Sequence, residues 1–193
     1  FLEGNFEGEA LMIMVSEVMK IAFVTGHIPL SKVKTAISIK KIIKKTNQLN
    51  QSLIADFGYR KPKIAIIGLN PHAGENGMLG TEEKEIIVPA IKQLKKEGII
   101  VFGPYPADSF FTQKNLLAFD GILSMYHDQG LTPFKTLSFF EGVNYTAGLN
   151  IIRTSPVHGT GYEIAGKAQA NEQSFREAVF LACKLFRKRL EYK

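Results

Sequence analysis

Four short apolar runs, each followed a few residues later by a histidine, constrain this chain more than any other feature. Ile21-Ala-Phe-Val-Thr25 leads to His27, and Lys63-Ile-Ala-Ile-Ile-Gly-Leu69 leads to His72. Ile122-Leu-Ser-Met125 leads to His127, and Ile151-Ile-Arg153 leads to His158. The sequence holds only 4 histidines, and scattered core or surface histidines have no reason to repeat that placement. Apolar runs of this length read as buried strands, and open α/β sheets bind ligands beyond their strands' carboxyl ends. If the runs are parallel strands of one sheet, all four imidazoles gather at one edge. Asp120 to Gly130 is the densest stretch: it feeds His127 and Asp128, and Gly130 is expected to let the backbone turn sharply.

A chain of 193 residues can bury a real core as one large domain, or as a medium domain with an appendage. Its formal charge of +6 is mildly basic, and lysines such as Lys40, Lys41, Lys44 and Lys45 read as solvated helix faces. No aromatic residues alternate with these bases as in a stacking platform, so no nucleic-acid partner is expected. A positive field would still attract anionic substrates. Cys183, alone in an apolar run, is expected to be an inert packed thiol, which favours a reducing, cytoplasmic location. Leu11 to Val24 is too short to span a bilayer and is interrupted by Glu17 and Lys20, so no membrane partner is expected. The opening at Phe1 reads as that of a fragment.

In chain order, Glu7 to Met19 is apolar on most sides, as a buried helix would be. A long helix is expected from a Ser31 cap to a stop at Gly58. Asp56-Phe57-Gly58 spells a kinase magnesium motif without its companions and is read as chance. Asn70 to Gly80 forms a glycine-rich loop carrying His72 and Glu75. Thr81 is expected to cap a helix whose first turn holds Glu82 and Glu83. Asp108 follows a short strand, where an N-cap is the common role and a metal neighbour or acid/base the alternative. Lys135, Asn144 and Arg153 near one sheet edge could bind a phosphate or carboxylate. Asn171 is expected to cap a terminal helix reaching Tyr192.

These segments closely resemble the 4-hydroxythreonine-4-phosphate dehydrogenase family of pyridoxal phosphate biosynthesis. The resemblance rests on Gly68-Leu-Asn-Pro-His-Ala-Gly-Glu75, Gly103-Pro-Tyr-Pro-Ala-Asp108, Met125-Tyr-His-Asp-Gln-Gly130 and Arg153-Thr-Ser-Pro-Val-His-Gly-Thr160. It implies a three-layer α/β sandwich with a largely parallel sheet, similar to isocitrate and isopropylmalate dehydrogenases and not to a Rossmann domain. It implies that His27, His72 and His127 bind a divalent metal (zinc, magnesium or cobalt), and that Lys135, Asn144 and Arg153 contact substrate. His158, Gly159, Thr160, Gly166 and Asn171 look like the loop that lines the adenosine end of NAD or NADP, and Asp108, Asp128 and Lys135 are the catalytic candidates.

The implied reaction oxidises 4-phosphooxy-threonine to a 3-keto acid that decarboxylates to 3-amino-2-oxopropyl phosphate. The implied assembly is a homodimer that shares its site. Residues 1–163 would form the metal-binding and dimerisation domain. Residues 164–193 would pack on the family's N-terminal portion, which this chain lacks, so the chain alone is expected to be inactive. Asn76 stands where many members have glycine, and Gly161 where many have alanine. Alternatives are a dehydrogenase of another phosphorylated hydroxy acid, a histidine-based metallohydrolase, and a metal-binding dimerisation core.

Overall fold

The structure, a computed structural model, describes residues 2–157, 162–167 and 169–192. Its strands are β1 (Gly8–Val15), β2 (Lys20–Phe23), β3 (Lys63–Ile67), β4 (Ile100–Tyr105), β5 (Gly121–Ser124), β6 (Val143–Leu149) and β7 (Arg153–Pro156). Its helices are α1 (Leu2–Asn5), α2 (Val33–Ala36), α3 (Ile39–Ala55), α4 (Val88–Lys96), α5 (Ala107–Phe110), α6 (Gln113–Ala118), α7 (His127–Ser138) and α8 (Gln173–Tyr192). One mixed sheet runs β4-β3-β5-β2-β1-β6-β7. β4, β3, β5 and β2 are mutually parallel, whereas β1, β6 and β7 continue the sheet by antiparallel pairs.

Both faces of the sheet are buried, which explains why its strands read as continuous apolar runs. Successive side chains alternate between faces. Ile64, Ile66, Ala22, Val24 and Leu123 therefore pack with α3, α4 and α8, on the side of Leu49, Leu94 and Leu185. Ala65, Ile67, Ile21, Phe23 and Ile122 pack on the opposite side with Phe110 and Phe134, from α5 and α7. The result is the expected three-layer α/β sandwich.

Several local expectations are corrected. Glu7 to Met19 is not a helix: β1 occupies it, with Leu11, Ile13 and Val15 facing one layer and Met14 the other. A strand buried on both faces is as apolar all round as a buried helix, so periodicity cannot separate them. The expected long helix is broken, because Ile37 is extended and Ser38, not Ser31, caps α3 by accepting from the Lys41 N–H. Gly58 does end that helix, at φ +78° with its N–H on the Ile54 carbonyl.

Two glycine and strand readings also change. Gly130 makes no sharp turn; it lies inside α7, where an added Cβ would come within 2.7 Å of Ile21 Cδ1 and of Ser124 Oγ. The glycine lets the helix approach the sheet closely. β7 is antiparallel to β6, so the run before His158 is not a parallel strand sharing the edge of the other three.

α8 packs on the sheet through Ala178 and Leu185, and Thr154 Oγ1 donates to the Ala178 carbonyl. Its outer face exposes Phe175, Phe180, Phe186 and Leu190. Cys183 is exposed on the same helix, contrary to the packed thiol expected. Asn171 Oδ1 accepts from the Gln173 N–H at the start of α8, as expected of a capping residue.

Candidate active site

β2, β3, β4 and β5 run in one direction, so the segments after them open at a common edge of the sheet. Those segments carry His27, His72, Asp108 and His127, the placement that puts ligand-binding groups beyond strand ends. Side chains tie the edge together. Thr25 Oγ1 donates to the Met125 carbonyl at 2.8 Å, joining the ends of β2 and β5. Gln129 accepts from the Met125 N–H and donates to the Gly68 carbonyl at 2.6 Å, joining β5 to β3.

His127 begins α7, and its ring lies 5.1 Å from that of His27, centroid to centroid. Phe23 packs against the same imidazole at 5.9 Å. His127 Nδ1 is 2.7 Å from Asp128 Oδ1. A carboxylate on Nδ1 favours the proton there and leaves Nε2 as the lone-pair donor, the arrangement that orients metal-ligating histidines.

His72 sits in a different kind of backbone. Residues His72, Ala73, Gly74, Glu75 and Asn76 all have left-handed φ, from 42° to 80°. Each such L residue costs roughly 1–2 kcal/mol, so the loop needs strong anchors. Glu83 supplies them. Its Oε1 accepts from the N–H groups of Leu69 and Asn70, both at 2.7 Å, and its Oε2 accepts from Asn70 Nδ2 at 2.8 Å. Glu82 Oε2 accepts from the same amide at 2.7 Å, while Glu82 Oε1 pairs with Lys34 at 2.7 Å. The hydrogen bonds from Lys34, then from Asn70, hold the Glu82 carboxyl down to about 2.

The sequence places both acids where they would serve a helix dipole. Instead a π-helical turn, Glu83–Ile87, precedes α4 and directs them into the loop. Insertions of this kind recur at functional sites. Between this loop and the segment after β2 lies a cleft of ≈ 530 Å³ that includes Leu30, Lys34, Glu82 and Tyr126.

The candidate residues divide accordingly. His27 and His127 meet within one chain, and His72 stands apart with its Nδ1 4.0 Å from Asp108 Oδ2. Among the described residues of the single chain, no group of three potential metal donors forms. Lys135 lies on α7. Asn144 and Arg153 are paired in register, through Met14 and Thr146, with the sheet face that α7 covers. Arg153 Nη1 reaches Thr146 Oγ1 at 3.5 Å, and Asn144 Oδ1 is buried with no hydrogen-bond partner among the described residues.

Gly166 is exposed at φ +74°, and Asn171 serves the start of α8. His158, Gly159 and Thr160 lie outside the described residues. Sequence reasoning does not single out Thr25, Gln129 or the role of Glu83. The first two resemble ordinary polar neighbours of a motif. The tandem acids after glycines 68, 74 and 80 are the one trace of Glu83's role.

The chain is 51% identical over 181 residues to the 4-hydroxythreonine-4-phosphate dehydrogenase of Bacteroides thetaiotaomicron, and 49% identical to that of Sulfurihydrogenibium. Each alignment covers 94% of this chain, and 50% or 56% of the relative, so the chain spans about half the length of these relatives. The crystal structure of the Klebsiella pneumoniae 4-hydroxythreonine-4-phosphate dehydrogenase superposes with a TM-score of 0.81 at 38% identity, covering 91% of this chain and 54% of that one. A terephthalate 1,2-cis-dihydrodiol dehydrogenase from Burkholderia xenovorans superposes with a TM-score of 0.71 at 26% identity, covering 91% and 55%.

The fold is thus the α/β type shared with isocitrate and isopropylmalate dehydrogenases. The chain belongs to the family of the pyridoxal phosphate biosynthetic protein PdxA, whose pattern matches residues 1–182. Among the described residues no helix is long and apolar enough to cross a membrane.

Proposed function

We propose that the protein to which this chain belongs is a cytoplasmic, metal- and NAD(P)-dependent dehydrogenase of 4-phosphooxy-threonine. The product would be a 3-keto acid that decarboxylates to 3-amino-2-oxopropyl phosphate. The observation that carries this reading is the pair of neighbouring imidazoles, His27 and His127, at the carboxyl edge of the parallel strands. Two imidazoles suit a divalent transition-type cation such as zinc or cobalt better than magnesium, which prefers oxygen ligands. His72, which does not join them within the chain, would come from a second copy. Such a cation lowers the pKa of a hydroxyl bound to it.

The chain's own residues would do the rest. Asp128 fixes the His127 tautomer, and Asp108, beside His72, is placed to accept a proton. Lys135 and Arg153 would hold the substrate's phosphate and carboxylate. The unpaired Asn144 Oδ1 would accept from the substrate's amino or hydroxyl group. Residues 158–160, Gly166 and Asn171 would line the dinucleotide. Ile28, Leu30, Met78 and Leu79 are exposed on the histidine-bearing segments, which supports burial of that edge in a homodimer. The apolar outer face of α8 would receive the further length that the relatives possess.

The test uses the full-length protein. Wild type should form reduced nicotinamide from 4-phosphooxy-threonine in the presence of a divalent metal. His127→Ala should lower metal affinity and abolish turnover. Undiminished metal content in that variant would refute the assignment. The likeness to a dihydrodiol dehydrogenase favours one rival, a paralogue that oxidises another hydroxylated substrate. Turnover of unphosphorylated 4-hydroxythreonine as fast as of the phosphate ester would select the rival.

A further inference from the structure

We infer that Glu83 is a positioning residue: its buried carboxylate clasps the left-handed loop and thereby sets where the His72 imidazole points. This inference rests on the reading of His72 as a metal donor. Glu83 is 5% exposed, yet among the described ion pairs no cation is matched to it. Its partners are N–H donors of Leu69 and Asn70, the residues that lead into the loop. A buried anion satisfied by N–H groups of one segment fixes that segment's path, because any other path would strand the charge.

The glycines around it report the same fit. A Cβ on Gly74 would come within 2.6 Å of Glu83 Oε2, and one on Gly68 within 3.1 Å of Glu83 Oε1. The loop is therefore wrapped on this carboxylate from both sides of His72. Ala73 completes the wrap, donating its N–H to the Asn70 carbonyl. Glu82 locks the arrangement, since the Asn70 amide donates to both acids. That amide cannot turn over without losing both bonds.

Glu83→Gln isolates the role. The substituted side chain keeps the shape and can still accept from the Leu69 and Asn70 N–H groups through its oxygen. Its NH2 would face Asn70 Nδ2, donor against donor, across the 2.8 Å now spanned by a hydrogen bond. In the full-length protein, with cobalt or zinc titrated against a chelator, Glu83→Gln should weaken metal binding about 10- to 100-fold. The melting temperature should stay within a few degrees of wild type, which separates positioning from bulk stability. In metal-free protein, amide exchange over residues 69–79 should rise.

His72→Ala, run in parallel, distinguishes two failures. If it loses metal while Glu83→Gln binds as wild type with unchanged exchange, the clasp is refuted alone. If His72→Ala also binds as wild type, the reading of His72 falls with it. Should Glu83→Gln not fold, Asn70→Ser removes the shared amide and leaves Glu83's two backbone bonds. The same losses are expected of it, and wild-type affinity and exchange would again refute the clasp.

Discussion

Gly130 shows how one residue can be right in place and wrong in role. Replacing it by alanine should gain about 1 kcal/mol of helix propensity. The new methyl, however, would sit 2.7 Å from Ile21 Cδ1 and Ser124 Oγ and 2.8 Å from Phe23 Cε1, closer than carbon atoms pack. Ile21 and Ser124 are fully buried, so the neighbours have little room to yield, and overpacking costs typically about 1–3 kcal/mol. The expected net result is a loss of up to about 2 kcal/mol in urea unfolding. A stabilised Gly130→Ala would contradict the packing seen here. Single residues with distinctive chemistry after a strand are legible in the sequence: His27, His72 and His127 stand at one edge, with Asp108 there too, whereas His158, expected to join them, follows an antiparallel strand and lies outside the described residues. Glu83 and Gln129 are not, because a carboxylate or amide announces neither its burial nor its distant partner.

At the level of elements, short parallel strands are recognisable from their β-branched runs, whereas β1 reads as a helix. Its apolar residues fill two layers at once, and only its pairing with β2 and β6 reveals the pleat. The terminal helix is legible from its length and from Asn171, but its anchor is not. Arg189 Nε donates to Asp56 Oδ1 at 2.6 Å, its Nη2 to the Tyr145 hydroxyl, and its Nη1 to the Leu149 and Ile151 carbonyls. Tyr145 and Ser52 donate to Asp56 Oδ2. Burial, then the Asp56 charge, raise the Tyr145 phenol above its ordinary value, so it remains a donor. Asp56-Phe57-Gly58, a chance motif in sequence, thus supplies the carboxylate that holds α8 to α3 and β6. Arg189→Met would leave a carboxylate 5% exposed without its cation. Removing one partner of a buried pair costs about 3–5 kcal/mol, and denaturant unfolding should show a loss of that size. A loss under about 1 kcal/mol would mean that the hydroxyls alone satisfy Asp56.

For the whole molecule, the central question is whether one chain can complete a site. His27 and His127 share a chain at 5.1 Å, while His72 keeps company with Asp108. In a two-fold dimer, whatever one copy lends the other is returned at the second site. If His72 crosses between copies, full-length His72→Ala and His127→Ala, each inactive, should complement when their subunits are mixed and reassembled. The mixed dimer would hold one site with every imidazole and one with two missing. Random pairing makes half the dimers mixed, so about a quarter of wild-type activity should return. A site built within one chain would return none, since each chain carries a broken set. His27→Ala mixed with His127→Ala supplies the matching control. These two rings meet in the same chain, so that mixture should stay inactive, and recovered activity there would overturn the pairing on which the metal site is proposed.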